Sequence, residues 1–311
     1  MRMEAMHYYE LQGPRVVSTF ASERNDNIVV EDREGRRLVV RRFRRNTERD
    51  RIAFQLDVQE HLAARQVPTP VIVLTREGER ITPGDPPCVA FEYVDGAAFS
   101  FHRLAQAKAA ARMLARVHDG LDELGHDEVP TPINPHIERW WLDAKRELDA
   151  MSAYLASDRL ARLEQILGEL ELAGLQTLPH GLVHGDFHGR NLLFAGDEVV
   201  AVLDFDVVHH TVRAADVARA LLAFARPHRG SLHVRPEFWT GFLSEYESGR
   251  PLMSHERDAL PSLLALMFAP RVEKCELLAA EGENPSAWAS SRVGAMAVLA
   301  GHQQELRALS I

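Results

Sequence analysis

Apolar spacing in this chain changes period once, near Ala98, and returns to the earlier period for only one short stretch further on. Before Ala98, the runs RVVSTF from Arg15, NIVVED and RRLVVRRF are short and rich in β-branched residues. Polar turns separate them, and Glu34-Gly35 marks the turn between the second and third, which predicts an antiparallel meander. Asn46-Thr47-Glu48 offers capping groups for a helix reaching about Arg65. There Ile52, Leu56, Gln59 and Leu62 fall near helical spacing and VPTP ends the run. The strands VIVLT and CVAFEYV follow. After Ala98, Leu104, Ala107, Ala111, Leu114, Ala115, Val117 and His118 describe a long helix, and further helices are expected at 135–155, 158–174, 213–225, 235–247, 254–280 and 287–309. The pattern predicts an α+β chain with a small antiparallel-sheet lobe, residues 1–94, and a large helical lobe, residues 95–311. Inside the helical part lies one β-rich island, LVHGDFHGRNLLFAGDEVVAVLDFD, with Gly196-Asp197 as a hairpin turn.

Composition narrows the classes. A chain of 311 residues that is 46% hydrophobic can build one large core or two lobes. Its longest apolar stretches, such as Leu260 to Ala269, are roughly half the ~20 residues of a membrane span, and MRMEAMHYYE has no apolar signal core. A cytoplasmic protein with no membrane partner is expected. Cys88 and Cys275 stand apart without CxxC spacing, which argues against a disulfide framework or a structural zinc site. The net charge of −9 is concentrated in residues 121–205, with 16 acids against 6 bases, so nucleic acid is not an expected partner. An arginine cluster at Arg36 to Arg45 reads as a solvated face or a local anion site. The three lysines are Lys108, Lys145 and Lys274, so any cationic role earlier in the chain falls to Arg.

The island carries the chemistry. In His184-Gly185-Asp186-Phe187-His188-Gly189-Arg190-Asn191 an acid, two imidazoles and a carboxamide follow an apolar strand, and Asp204 comes thirteen residues after Asn191 at the end of VVAVLDF. A loop holding Asp and Asn, facing a hairpin that delivers a second Asp, suits phosphoryl transfer. Magnesium takes hard oxygen ligands of this kind together with phosphate oxygens, while another carboxylate orients the attacking hydroxyl.

These residues resemble the catalytic loop and metal loop of the aminoglycoside phosphotransferase and choline kinase superfamily, which shares the protein-kinase-like two-lobe fold. His184, Gly185, Asp186 and Asn191 match its HGDxxxxN loop, Asp204 matches the Asp that opens its metal loop, and Asp216 in RAADVARALL fits the same pattern. The resemblance extends over most of the chain through QEHLAARQVPTP, FEYVDG and AARMLARVHDGL, and looks nearest to the bacterial homoserine kinase and stress-response kinase branches. It implies an ATP- or GTP-dependent kinase of a small-molecule hydroxyl. Asp186 would be its catalytic base, Asn191 and Asp204 its Mg²⁺ ligands, and the backbone at Glu92, Tyr93 and Val94 its adenine contact.

Two departures stand out. Where the family has a phosphate-gripping Lys, the third strand offers Arg41 and Arg42. Arg41 aligns better, and a guanidinium can hold phosphate oxygens bidentately. Its Glu partner aligns with Gln55, with Asp57 and Glu60 nearby. The phosphate-covering loop, Ala21 to Asn27, has no glycine, leaving Ser22 and backbone N–H groups to meet phosphate. Rival readings are a kinase-like scaffold without catalysis, a protein Ser/Thr kinase, and a metal-dependent hydrolase built on His184, Asp186, His188 and His209-His210. The last has no need of Asn191. Trp140, Trp141, Trp239 and Phe242 fall on helices that form core or acceptor wall. The acidity of 121–205, with Asp143, Glu147 and Asp149 on one helix, favours an amine-bearing acceptor whose KM rises with salt.

Overall fold

The structure, a computed structural model, describes residues 4–21, 25–44, 47–124, 140, 142–170 and 174–310. Strands β1 (Arg15–Ala21), β2 (Asn25–Glu31), β3 (Arg37–Phe43), β4 (Ile72–Val73) and β5 (Cys88–Glu92) form one antiparallel sheet in the order β1-β2-β3-β5-β4. The β2–β3 turn closes on Asp32, whose Oδ1 accepts from Glu34 N–H at 3.0 Å and Arg36 N–H at 2.9 Å. Strand alternation divides β3 between two small cores. Leu38 and Val40 pack with Tyr9, Val30 and Cys88 on one face, while Phe43 packs with Val89, Phe91 and helix α1 (Arg49–Ala64) on the other. Arg41 alternates with Phe43 and so shares the α1 face.

The loop expected over Ala21 to Asn27 is shorter than the sequence suggested. Ala21 belongs to β1 and Asn25 to Asn27 belong to β2, with Phe20 opposite Asn27 and Ala21 opposite Asp26. Asn and Asp disfavour strands by propensity, but here pairing on both edges of β2 outweighs that preference. Ser22 lies outside the described residues. The cap expected from Asn46-Thr47-Glu48 is also different, since Glu48 is the N-cap, it makes no side-chain cap, and Asn46 is not described.

The helical part contains α2 (Leu104–Asp122), α3 (Ala144–Met151), α4 (Ser157–Glu169), α5 (Arg213–Ala225), α6 (Pro236–Gly249), α7 (Ser254–Leu266), α8 (Val272–Ala280), α9 (Pro285–Gly301) and α10 (Gln303–Ala308). Two expected helices are each divided. Pro270 cannot donate the next backbone bond and bars the residue before it from helical geometry, so 254–280 becomes α7 and α8. His302, at φ −98° and ψ 8°, separates α9 from α10. Helix α2 lies against α6, and α5 against α6 and α7. Their shared core includes Leu114, Leu221, Trp239, Phe242 and Leu263, all fully buried. Each such side chain contributes about 1.5–3 kcal/mol. Trp140, Trp239 and Phe242 are therefore core; Trp239 also donates its ring N–H to Ser310 Oγ at 3.2 Å. Trp141 is not among the described residues. Cys88 and Cys275 are buried free thiols. Among the described residues no helix is long and apolar enough to cross a membrane.

Between α4 and α5 sit two short ladders. β6 (His180–Val183) pairs with β9 (His209–Val212), and the hairpin β7 (Leu192–Ala195) to β8 (Glu198–Val202) turns at Gly196-Asp197. Residues 184–191 and 203–208 are the two loops that this arrangement sets side by side.

Candidate active site

The first loop hangs from buried polar groups. Asp216, on α5, accepts from His184 N–H at 3.1 Å and from Gly185 N–H at 3.2 Å. His118 Nε2 donates to the same carboxylate at 3.2 Å, and Tyr246 O–H donates to His118 Nδ1 at 2.9 Å. Burial works to raise the Asp216 pKa, but the hydrogen bond and charge of its neighbours outweigh it and hold the carboxyl below the usual range. Burial depresses His118 and His184, so both rings are neutral. His184 joins the two loops: Nδ1 accepts from Asp186 N–H at 3.3 Å and Nε2 donates to Leu203 O at 3.1 Å. Gly185 adopts φ +76°, and a Cβ there would fall 2.6 Å from Val207 O, so a side chain would push the loops apart.

At the tip, the carboxylate of Asp186 is a little over one-third exposed. Asn191 Nδ2 donates to Asp186 O at 3.0 Å and reaches its Oδ2 at 3.3 Å. His188 Nε2 is 3.4 Å from Oδ2, and Arg219 Nη1 is 3.4 Å from Oδ1 while also donating to Gly185 O. Burial lowers the His188 pKa, leaving that ring neutral beside the acid. Leu203 N–H donates to Asn191 O at 2.8 Å, which sets the second loop directly against the end of the first. The next residue, Asp204, has φ +65°, a left-handed conformation that costs on the order of 1 kcal/mol for a residue with a Cβ.

Arg41 reaches from β3 into this pair of loops. Its Nη1 lies 3.2 Å from Asp204 Oδ1 and 3.1 Å from Asp206 Oδ1, and its Nε donates to Asn27 Oδ1 at 3.2 Å. Burial opposes its charge, yet Asp206 and Asp204 offset this and raise its pKa. Asp206 is buried, accepts from Asn25 Nδ2 at 2.5 Å, and is pushed up to about 6 by burial against the pull of Arg41. Arg42 points to the other face of β3 and pairs with Asp26 at 2.9 Å. Asp57 and Glu60 both bind Arg80, at 2.6 and 2.8 Å, so neither partners Arg41; Gln55 is buried on α1.

The oxygens gathered here fit a hard divalent cation. Asn191 commits its amide nitrogen to Asp186, which leaves its amide oxygen as a ligand atom, and Asp204 and Asp206 add carboxylates already arranged around one positive group. His184 offers no nitrogen to a zinc ion, because both its ring nitrogens are engaged within the protein. At the end of β5 the N–H of Glu92 donates to Val71 O at 2.8 Å, and that of Tyr93, just past the strand, donates to Arg37 O at 3.0 Å. Of the three expected adenine contacts, Val94 is the one whose N–H lies beyond that ladder. Of the acids expected near an amine, Asp143 caps α3 through Arg146 N–H at 3.1 Å, Glu147 is buried and Asp149 is exposed.

Sequence reasoning missed Asp206, Asn25, Asn27 and Arg219. The spacing Asp204-x-Asp206 was a signal for the first, and the alternation of Asn25 and Asn27 on one strand was a signal for the next two.

A family model for a phosphotransferase enzyme family matches residues 16–252. The chain is 31% identical over 215 residues to a homoserine kinase of Rhodopseudomonas palustris (strain BisA53), covering 68% of this chain and 64% of that protein, so it spans just under two thirds of that relative's length. Among solved structures, a microcompartment-associated aminopropanol kinase aligns with a TM-score of 0.73 at 22% identity, over 99% of this chain and 98% of that one. The amicoumacin kinase hAmiN, in complex with AMP-PNP, Ca²⁺ and Ami, aligns with a TM-score of 0.67 at 18% identity, over 98% and 92%.

Proposed function

The chain belongs to the phosphotransferase enzyme family and has its protein-kinase-like two-lobe α+β fold, and on that footing we propose that it transfers the γ-phosphoryl group of ATP to a hydroxyl of a small molecule. Residues 1–94 hold the nucleotide and residues 95–311 hold the acceptor. Asp186 accepts the hydrogen bond of the acceptor hydroxyl and orients its oxygen. The new O–P bond forms as the bond from the γ-phosphorus to its bridging oxygen breaks. The hydroxyl proton passes to Asp186 Oδ and the nucleoside diphosphate leaves. Arg41 binds the α- and β-phosphates through its fork of N–H donors. Asn191 and Asp204 hold Mg²⁺, which when bound offsets the negative charge of the phosphates. Val94 N–H meets the adenine edge. His188 and Arg219 fix the Asp186 carboxylate in place without protonating it.

The observation that supports this most is the hairpin itself. Leu203 N–H donates to Asn191 O at 2.8 Å, which sets Asp204, the next residue, beside Asn191, and Asn191 in turn donates to Asp186. The relatives named as homoserine and aminopropanol kinases point to short alcohols as the first acceptors to try. The test is ADP release from purified protein with ATP and Mg²⁺ against homoserine, amino alcohols, hydroxy acids and amino sugars. Acceptor-dependent ADP that chelator abolishes is expected. Zinc-dependent hydrolysis without nucleotide, or nucleotide-induced thermal stabilisation with no turnover of any alcohol, would overturn the reading.

A further inference from the structure

Arg41 is a largely buried cation whose counter-charge comes from the other lobe. Helix α1, on whose side of the sheet it lies, carries Gln55, which is buried and neutral, while Asp57 and Glu60 are spent on Arg80 at 2.6 and 2.8 Å. Among the described residues Gln55 makes no bond to Arg41. The carboxylates that meet Arg41 are those of Asp204 and Asp206, whose Oδ1 atoms lie 3.2 and 3.1 Å from Nη1.

Of these two acids Asp206 is the more firmly placed. It is 8% exposed against 28% for Asp204, and its second oxygen, Oδ2, accepts from Asn25 Nδ2 at 2.5 Å. First-lobe side chains thus take both of its oxygens. Asn25 and Asn27 alternate on β2, and Asn27, opposite Arg41 in the ladder, accepts from Arg41 Nε at 3.2 Å. The guanidinium is therefore held at Nε from β2 and at Nη1 from the second loop. Among the described residues Nη2 has no hydrogen-bond partner.

We infer that Asp206 is the positioning residue of the nucleotide grip, the counter-ion that aims Arg41 Nη2 at the phosphates in place of a residue on α1. The inference rests on the phosphotransferase reading for what Arg41 grips. A guanidinium is a rigid plane, so fixing Nε and Nη1 also fixes the direction of Nη2 and removes the rotamer freedom that phosphate binding would otherwise have to freeze. The pair need not break when phosphate arrives, because different N–H groups serve the two partners. The neutral Gln55 and the second acid of Asp204-x-Asp206 are then parts of one arrangement, in which the grip is assembled across the lobe contact. Since Asp206 itself repels phosphate, its own effect on affinity is a difference of two terms. The decisive quantity is how much Arg41 is worth with and without it.

ADP affinity is titrated for the wild type, R41A, D206N and R41A/D206N, once in excess EDTA and once at saturating Mg²⁺. R41A is expected to weaken binding by roughly tenfold or more in the wild-type background and by no more than about threefold in D206N, under both conditions. A purely structural role for Asp206 would leave the two factors equal. Asn25 can turn its amide to accept from the new side chain, so D206N keeps the lobe contact; urea midpoints check this, and D206A takes its place if D206N does not fold. Q55A is expected to leave the Arg41 factor at its wild-type value. An Arg41 factor in D206N that equals or exceeds the wild-type one would overturn the inference. So would a fall seen only with Mg²⁺, which marks Asp206 as a metal ligand, or a collapse in Q55A alone, which returns the partner to α1. Failure of the wild type to bind ADP under either condition would instead remove the phosphotransferase reading, and this inference with it.

Discussion

On the proposed reading Asp186 serves the acceptor and Arg41 the nucleotide, and single substitutions should separate the two roles. D186N removes the proton acceptor but leaves the groups that hold the triphosphate. Phosphoryl transfer is expected to fall by about 10²-fold or more, with nucleotide affinity within a few fold in a binding titration. Turnover near the wild-type rate would exclude Asp186 as the base. R41A should raise the nucleotide KM by roughly tenfold or more, the equivalent of a lost charge-assisted bond of ~1.5–3 kcal/mol, whereas R42A should change it little. The reverse ranking would mean that Arg42 is the residue on the phosphates. Alignment with the family position singled out Arg41, and strand period two added that only one of the pair could face inward; the structure turns Arg41 toward Asp204 and Asp206 and Arg42 toward Asp26. The partners of Arg41 were not legible. Its expected counter-ion was sought on α1, while the structure pairs it with Asp204 and Asp206, more than 160 positions away. Asn25 and Asp206 are 181 positions apart and share no periodicity that could reveal their bond.

Helix α5 anchors the 184–191 loop through one residue. Asp216 receives two backbone N–H groups and one imidazole N–H. In D216N the new amide would turn its own N–H groups toward at least one of those donors and strand a buried group. A loss of about 2–4 kcal/mol in urea unfolding is expected, together with a drop in kcat as His184 and Gly185 shift. An unchanged midpoint would show that the loop is held by something else. Most elements could be read from spacing, and α5 matched its expected limits of 213–225. Failures occurred where one residue overrides a continuous apolar pattern. Pro270 breaks a run that would otherwise continue, and β4 keeps only Ile72–Val73 of the expected VIVLT because Pro70 precedes it and Thr75 opens a turn that closes on Glu79 straight after it. The strand character of Asn25 to Asn27 was hidden because composition signalled a turn while ladder pairing decided the outcome.

Protonation links these local features to the stability of the molecule as a whole. His118 and His184 have pKa values lowered on folding, so the unfolded chain binds their protons first, and their contribution is lost as pH falls below about 6.5. The partly buried His188 acts in the same direction. Asp206 opposes them: its folded pKa, about 6, lies above the unfolded value, so over the same range the folded state takes up a proton and gains stability. Asp216, held low, keeps its contribution until pH falls below the ordinary carboxylate range. With three histidines on one side and one carboxyl on the other, the unfolded chain takes up more protons than the folded one as pH falls below about 6.5, so stability falls with pH there. Urea midpoints at pH 7.5, 6.5 and 5.5 should therefore fall, and D206N should fall more steeply relative to its own value at pH 7.5. A flat profile, or an unaltered slope in D206N, would refute this balance. The suspension of the loop from Tyr246, His118 and Asp216 also bears on how such a chain can change over generations. These anchors lie on α6, α2 and α5. Sequence drift in α8, α9 and α10 therefore touches none of the groups that suspend the 184–191 loop, so the far end of the molecule can diverge while the hold on that loop is inherited intact.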